Sequence, residues 1–331
     1  MGVLTPNILE KLTQTGPRLP WLAKWLMEEV WSEGNYCGKQ PGPYLQDGEQ
    51  VVNEMEEVIA AAANRIYDEL LQPVPADRNL REFLTSGAQC AAVVFDGLSL
   101  REVPLLKRLA AESGLHIAEE GWSLAATPSE TVDFVAARLG VGMIAPTQLP
   151  TCGQLRSAGI TTYHLEQVNQ RRMLDSSAPA ILVWSAFPDY RYKERDAKFP
   201  ELFGNLHNML MTAWQNSVQE IIQNAPGRRI LVTSDHGYVF FGSGCSFSWD
   251  PAAVAPLTSY FGGERFARLA DQPNPPQHRG IATLADRGVA VVCGRVQTHP
   301  RGDAARKLYK HGGLSLMEML VPWIVLEPAP L

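Results

Sequence analysis

A carboxylate and an imidazole stand side by side where an apolar run of the chain ends. Residues 230–233 read Ile-Leu-Val-Thr, and Asp235 and His236 follow one residue later. Because open α/β sheets place their ligands outside the carboxyl ends of the strands, we interpret the run as a short buried strand that delivers both side chains to a functional edge. Carboxylate oxygens and imidazole nitrogens are ligands of Zn²⁺ and Mn²⁺. The pair therefore predicts a metal site.

Two more polar side chains take comparable positions. Asp96 follows the apolar run at residues 90–95, and His311 precedes the segment Gly-Gly-Leu-Ser-Leu near the last predicted strand. A glycine follows Asp96, His236 and His311 directly, which lets the backbone approach closely. Each side chain taken singly also has an ordinary structural interpretation, as a helix cap, a satisfied buried histidine or a partner of a loop carbonyl. Together they predict a metal-binding constellation.

These side chains require a sheet whose strands end together. Short apolar runs without alternation indicate strands that are covered on both faces. An amphipathic pattern from Phe199 to Ile221 predicts a helix that returns the chain to the next strand. The succession of strand and helix predicts an α/β fold with a mainly parallel sheet and helices on both faces. The predicted strands are residues 90–95, 180–184, 230–233, 289–293 and 321–326.

The first part of the chain predicts helices and carries no chemical motif. Apolar residues recur at helical spacing over residues 50–71, and residues 17–31 hold three tryptophans in a second helical stretch. Between them, residues 38–48 are rich in glycine and proline and are predicted to form a loop. We therefore divide the chain into a helical N-terminal region, residues 1–85, and a metal-binding domain, residues 86–331.

Composition narrows the classes of function. The 331 residues are 45% hydrophobic and carry a formal net charge of −6, which allows a sizeable core and argues against a broad nucleic-acid-binding surface. The five cysteines form no Cys-x-x-Cys pair, so a reducing compartment is favoured over a disulfide framework. No apolar run has the length of a membrane span, and the N-terminus lacks the pattern of a signal peptide. We expect a soluble cytoplasmic protein without a membrane partner.

Three stretches of the sequence resemble the PglZ domain, a branch of the alkaline phosphatase superfamily. They are residues 94–99 (VFDGLS), 231–238 (LVTSDHGY) and 311–322 (HGGLSLMEMLVP), and the likeness extends from Cys90 to the C-terminus. The resemblance implies an alkaline-phosphatase-like three-layer α/β sandwich with metal ligands at the carboxyl ends of the strands. It also implies a Ser or Thr nucleophile and one or two divalent ions, with zinc favoured and manganese as the alternative.

The resemblance assigns a first metal position and a nucleophile. Asp96, Asp235 and His236 would bind the first ion together with the hydroxyl of the nucleophile. Residues 126–131 (ATPSET) resemble the Pro-Thr-x-Thr turn of the superfamily's phosphodiesterases, which implies Thr131 as the nucleophile and Ser129 as the alternative. An ordinary helix-capping motif is the competing interpretation of the same residues.

The second metal position departs from the family pattern. Asp189 and His311 match, but Lys193 stands where the family often has a histidine. Three arrangements stay open: Asp189 and His311 bind a weaker second ion with water, His278 or His299 completes the site, or the Lys193 ammonium replaces the cation as a catalytic positive charge. A fourth interpretation makes Lys193 a solvent-facing residue of a shifted loop.

The resemblance implies a metal-dependent phosphodiesterase or phosphohydrolase with a phosphodiester or nucleotide-like substrate. PglZ proteins are associated with bacterial antiphage systems, so protein partners in a defence complex are implied as well. The alternative is a PglZ-like scaffold that keeps a metal but acts through protein contacts. Lys193 favours the scaffold, whereas the turn that holds Thr131 favours catalysis.

Overall fold

A six-stranded sheet forms the centre of the protein. The computed structural model describes residues 5–62, 65–87, 89–192, 201–242, 244–247, 251–298 and 308–328. The order of the strands in the central sheet is β2-β11-β5-β1-β4-β3. The strands, numbered along the chain, are β1 Cys90–Asp96, β2 Leu115–Leu124, β3 Ile160–Leu165, β4 Ala180–Pro188, β5 Arg229–Ser234, β6 Val239–Phe240, β7 Phe266–Arg268, β8 Ile281–Leu284, β9 Val289–Val292, β10 Tyr309–Lys310 and β11 Leu320–Pro328.

Strand β1 lies in the middle of this sheet because its residues are apolar on both faces. All seven of its residues are buried, and it pairs in parallel with β4 and β5. Phe95 lies opposite Ser185 of β4 and Ser234 of β5, so the three strands end at the same edge. Strand β11 runs antiparallel to β2 and β5. The predicted mainly parallel sheet is confirmed.

Helices cover both faces of the sheet. One buried cluster joins Ala91 and Val93 of β1 to helices α2, α4, α7, α11 and α12, and another joins Ala92 and Val94 to α6, α8 and α9. This confirms the predicted three-layer α/β architecture. The helices are α1 Pro6–Thr13, α2 Leu19–Trp25, α3 Glu33–Cys37, α4 Pro41–Ala62, α5 Ile66–Glu69, α6 Leu80–Leu84, α7 Val103–Glu112, α8 Thr131–Leu139, α9 Gly153–Ser157, α10 Asp189–Tyr192, α11 Glu201–Gln215, α12 Val218–Asn224, α13 Pro251–Phe261 and α14 Leu316–Met319.

One difference from the prediction in the N-terminal helices concerns residues 38–48. The prediction of a loop over residues 38–48 is wrong, because α4 begins at Pro41. Proline is tolerated in the first turn of a helix, where its missing N–H has no helical acceptor. Gly48 lies inside the helix against the Trp31 ring, and a Cβ there would come within 2.1 Å of a ring carbon. The glycine and prolines therefore serve packing and helix initiation.

Three further segments refine the predicted elements. The long helix expected at residues 50–71 is in fact α4 followed by the short α5. The helix expected from Phe199 to Ile221 divides into α11 and α12 near Ser217, and Phe199 itself lies outside the described residues. The strand expected at residues 289–293 forms as β9, but it lies in a separate antiparallel sheet with β7 and β8. Among the described residues, no helix has the length and apolar character needed to cross a membrane.

Candidate metal centre

Three neighbouring strands deliver carboxylates to one edge of the sheet. Asp96 is the last residue of β1, Asp189 follows β4 directly, and Asp235 follows β5. His236 comes next along the chain, and both Asp235 and His236 are fully buried. The aligned carboxyl ends of the parallel strands bring these side chains together, as the sequence predicted.

Asp96, Asp235 and His236 form the first group of candidate ligands. His236 Nε2 lies 3.5 Å from Asp96 Oδ1 and 3.6 Å from Asp235 Oδ2. The other ring nitrogen, Nδ1, lies 2.9 Å from the Gly237 carbonyl, so we assign the ring proton to Nδ1 and the lone pair to Nε2. Among the described residues, the buried Nε2 atom has no hydrogen-bond partner. A lone pair that faces two carboxylates fits a bound cation.

The Asp235 carboxylate is fixed by the backbone on one side. Its Oδ1 atom accepts the N–H groups of Gly97 (3.1 Å) and His236 (3.0 Å). Its Oδ2 atom accepts the hydroxyl of Thr131 at 2.7 Å, and the same hydroxyl lies 3.5 Å from Asp96 Oδ1. The hydroxyl of Thr131, the first residue of α8, thus lies against the first group of candidate ligands.

Ser129 has a different role from Thr131. Its side chain is fully buried, donates to the Gly313 carbonyl (3.1 Å) and accepts the Gly312 N–H (2.8 Å). These bonds tie the turn before α8 to the loop after His311. The capping interpretation of this turn is wrong, because no side chain caps the N-terminus of α8.

Asp189, His236 and His311 form a second group of candidate ligands. His311 Nε2 lies 3.5 Å from Asp189 Oδ1, and the two imidazole rings stack with their centroids 4.0 Å apart. On its other side, His311 Nδ1 lies 2.9 Å from Glu130 Oε1. Burial by itself lowers the pKa of His311, but hydrogen bonds and charges of Asp189 and Glu130 outweigh burial and raise that pKa well above its ordinary value.

Close approach of the backbone explains the glycines that follow these side chains. A Cβ at Gly237 would come within 2.1 Å of the Met317 carbonyl oxygen. Gly97 has a φ of +79°, a left-handed conformation, and a Cβ there would meet Asp189 Cβ at 3.2 Å. The packing of the site therefore requires glycine at both positions.

The described part of the structure does not bring every predicted site residue into this cluster. Lys193 and His299 lie outside the described residues. His278 Nδ1 accepts the Gly280 N–H at 3.0 Å, and neither ligand group of the described residues contains it. Sequence reasoning missed Glu130, although it directly precedes Thr131 in the motif from which Thr131 was predicted as the nucleophile. Its contact with His311 joins residues far apart in the chain, and the local sequence holds no signal for it.

Comparison with known proteins gives distant structural neighbours. No family model matches the chain, and no curated protein matches it. An inactive variant of murine ectonucleotide pyrophosphatase/phosphodiesterase 5 in complex with AMP is 10% identical, with a TM-score of 0.45, over 72% of this chain and 87% of that one. Phosphonoacetate hydrolase from Sinorhizobium meliloti is 12% identical, with a TM-score of 0.43, over 72% and 90%. Because the TM-scores of these neighbours are below 0.5, they carry no argument about function, and the geometry of the site is the basis for a functional proposal.

Proposed function

We propose that this chain is a metal-dependent phosphoesterase that acts through the hydroxyl of Thr131. One observation carries the proposal: this hydroxyl lies against the carboxylates of Asp96 and Asp235, beside a buried His236 Nε2 that has no hydrogen-bond partner among the described residues. A hydroxyl is a poor nucleophile until a cation or a base assists the loss of its proton. Two carboxylates and an imidazole are the groups that hold such a cation.

The residues divide into two metal positions. Asp96, Asp235 and His236 would hold the first ion, and Asp189 and His311 would contribute to the second. A divalent ion bound there supplies positive charge that stabilises an alkoxide and offsets charge on phosphoryl oxygens. Zinc suits this mixture of imidazole and carboxylate, and manganese is the alternative.

Two side chains of this protein orient the nucleophile and carry out the attack on phosphorus. Asp235 Oδ2 accepts the Thr131 hydroxyl and so aims the oxygen for in-line displacement. Thr131 Oγ1 loses its proton to solvent and forms a bond to phosphorus while the bond to the leaving oxygen breaks, and the leaving oxygen takes a proton from solvent. Water then attacks the same phosphorus, replaces Oγ1 and restores the hydroxyl. If no second ion binds, we propose that Lys193, which lies outside the described residues, supplies a positive charge that offsets the charge of a phosphoryl oxygen.

We further propose a phosphodiester or nucleotide-like substrate in a cytoplasmic defence system. The three PglZ-like stretches support this assignment, and the resemblance itself stays a prediction because no family model matches the chain. The same resemblance supports protein partners within such a complex.

A metal-binding scaffold that acts through protein contacts is the second candidate. Lys193 favours it, because a protonated lysine stands where related proteins often have a metal-binding histidine, and protonated lysine has no lone pair to donate. Under this proposal the first ion stabilises the fold and Thr131 performs no chemistry.

One experiment tests the enzyme proposal and separates it from the scaffold. We expect the purified protein to contain divalent metal and to hydrolyse bis(p-nitrophenyl) phosphate. Thr131→Ala should abolish turnover but retain the metal. Thr131→Ser should retain part of the turnover, and Ser129→Ala should still turn over the substrate. A wild-type protein without metal contradicts both candidates. If the metal is bound and turnover survives Thr131→Ala, Thr131 is not the nucleophile. If the wild-type protein binds metal but shows no turnover, the scaffold is the candidate function that is still supported.

A further inference from the structure

The Glu130 side chain makes a contact that its place in the helix does not require. Glu130 occupies the N-cap position of α8, yet its carboxylate makes no capping hydrogen bond. Asn, Asp, Ser and Thr are the residues that usually cap helices. The Glu130 carboxylate reaches His311 instead, with Oε1 at 2.9 Å from Nδ1. The contact joins the residue before Thr131 to a loop that is distant in sequence.

This contact selects one form of the His311 ring. The Ser129 carbonyl lies 3.1 Å from the same Nδ1 atom, so two acceptors face Nδ1 and the ring proton belongs there. The lone pair of the neutral ring then lies on Nε2, which faces Asp189 Oδ1 at 3.5 Å. Carboxylates that accept the outer N–H of an imidazole orient the ring and make it a better metal ligand.

The second metal position depends strongly on such orientation. Both candidate ligand groups contain His236, but its Nδ1 atom is bonded to the Gly237 carbonyl, so only Nε2 is left to bind an ion. When the first ion takes His236 Nε2, Asp189 and His311 are the members of the second group that still offer a ligand atom. Within this group of described residues, a misaligned Asp189 or His311 then has no third ligand atom of the group to compensate for it.

We propose that Glu130 is a positioning residue that holds His311 in the tautomer and orientation needed to bind a second divalent ion together with Asp189. The inference rests on the proposed function only in that the same centre binds metal, and it requires no turnover. Glu130 touches neither the substrate nor the ion; it acts through His311.

Titration of the metal-free full-length protein with Zn²⁺, in the presence of a competing chelator, measures the two positions separately. We expect one binding step that Asp235→Ala removes and a weaker step that His311→Ala removes. Glu130→Ala should weaken the His311-dependent step by roughly 10–100-fold, the range for loss of such outer partners, and leave the other step within about twofold. Glu130→Gln should weaken it less, because the amide oxygen still accepts the Nδ1 proton.

Asp133→Asn is the matched control. Asp133 lies in the first turn of the same helix, and its carboxylate pairs with Arg268 at 2.6 Å rather than with His311, so its removal should leave both steps unchanged. Nitrogen NMR of the metal-free protein, recorded at a pH high enough for the His311 ring to be neutral, gives a second measurement: Glu130→Ala should shift the ring away from the tautomer that carries its proton on Nδ1. The proposal is overturned if the wild type has no His311-dependent step, if Glu130→Ala leaves that step and the tautomer unchanged, or if Asp133→Asn weakens it equally.

Discussion

The two carboxylate oxygens of Asp235 have different roles: the backbone holds Oδ1, and Oδ2 faces the site. Two backbone N–H groups bind its Oδ1 atom, and the Thr131 hydroxyl binds Oδ2. We expect Asp235→Asn to remove the negative charge from an otherwise similar shape, so that metal content falls to background and Thr131-dependent hydrolysis is lost. Elemental analysis and phosphodiester hydrolysis measure the two effects. Asp175→Asn, at an exposed aspartate, is the control, and wild-type metal content in Asp235→Asn would exclude Asp235 as a ligand.

Gly237 fixes the backbone immediately after His236. A Cβ at this position would meet the Met317 carbonyl oxygen at 2.1 Å, and backbone has little freedom to retreat. We expect Gly237→Ala to reduce the free energy of unfolding by about 1–3 kcal/mol, the usual range for overpacking, and to weaken metal binding because His236 must shift. Denaturant unfolding and metal titration measure both. Gly204→Ala provides the control, since a Cβ at Gly204 meets nothing within 4 Å; equal losses in both variants would contradict the steric explanation.

The local sequence predicts which side chains lie at the site better than it predicts which other residues hold them in position. Asp96, Asp235 and His236 each follow a predicted strand, so parallel pairing alone brings them to one edge. Glu130 had no such signal, because its partner His311 lies on a loop whose position depends on the whole fold. The same dependence explains why Ser129 was a candidate nucleophile: its bonds to Gly312 and Gly313 join segments that are distant in sequence.

Helix α11 carries a buried histidine that makes its packing sensitive to pH. Burial lowers the pKa of His207 from its ordinary 6.5 to about 4, and the ring lies beside Tyr36 of α3, with Nδ1 at 3.2 Å from the hydroxyl. Between these values the unfolded chain binds a proton that the folded chain does not. The free energy of unfolding should therefore fall as the pH falls from 6.5 to 4, by up to about 3 kcal/mol from this group.

His207→Phe tests that contribution while it keeps an aromatic ring against Tyr36. We expect the variant to lose part of the acid-dependent fall in unfolding free energy between pH 6.5 and 4, as measured by urea unfolding at a series of pH values. His116→Phe, at an exposed histidine, should leave the pH profile of the wild type intact. A His207→Phe profile that matches the wild type would show that His207 is not the responsible group.

Elements were predicted correctly where their pattern is short and fully apolar, and incorrectly where packing overrides composition. Strand β1 is apolar throughout, and a central position in a covered sheet is the place that suits such a strand. The prolines and glycines before residue 49 indicate a loop by composition, but Pro41 starts α4 and Gly48 accommodates the ring of Trp31. Strand β9 was correct as a strand, whereas its separate sheet depends on pairing with β7 and β8, which periodicity does not encode.

Buried charges connect the N-terminal helices to the sheet domain. Glu49 of α4 pairs with both Arg101 and Arg295, and all three side chains are fully buried. Arg101 also donates to Ser99 Oγ at 3.0 Å and lies over the ring of Tyr238, two residues beyond His236. The hydrophobic cluster on this face of the sheet likewise contains residues of both parts. The proposed boundary at residue 85 therefore separates two regions that share one core and one network of charges.

Glu49→Gln tests how far the fold depends on this network. The substitution keeps the shape of the side chain but leaves two buried guanidinium groups without their shared carboxylate, and removal of one partner from a buried ion pair costs about 3–5 kcal/mol. We expect a loss of that size in the free energy of unfolding, measured by denaturant titration, and a lower yield of folded protein. Glu54→Gln, at an exposed glutamate of the same helix, should change stability by less than about 0.5 kcal/mol. Equal stability of the two variants would mean that Arg101 and Arg295 are compensated without Glu49.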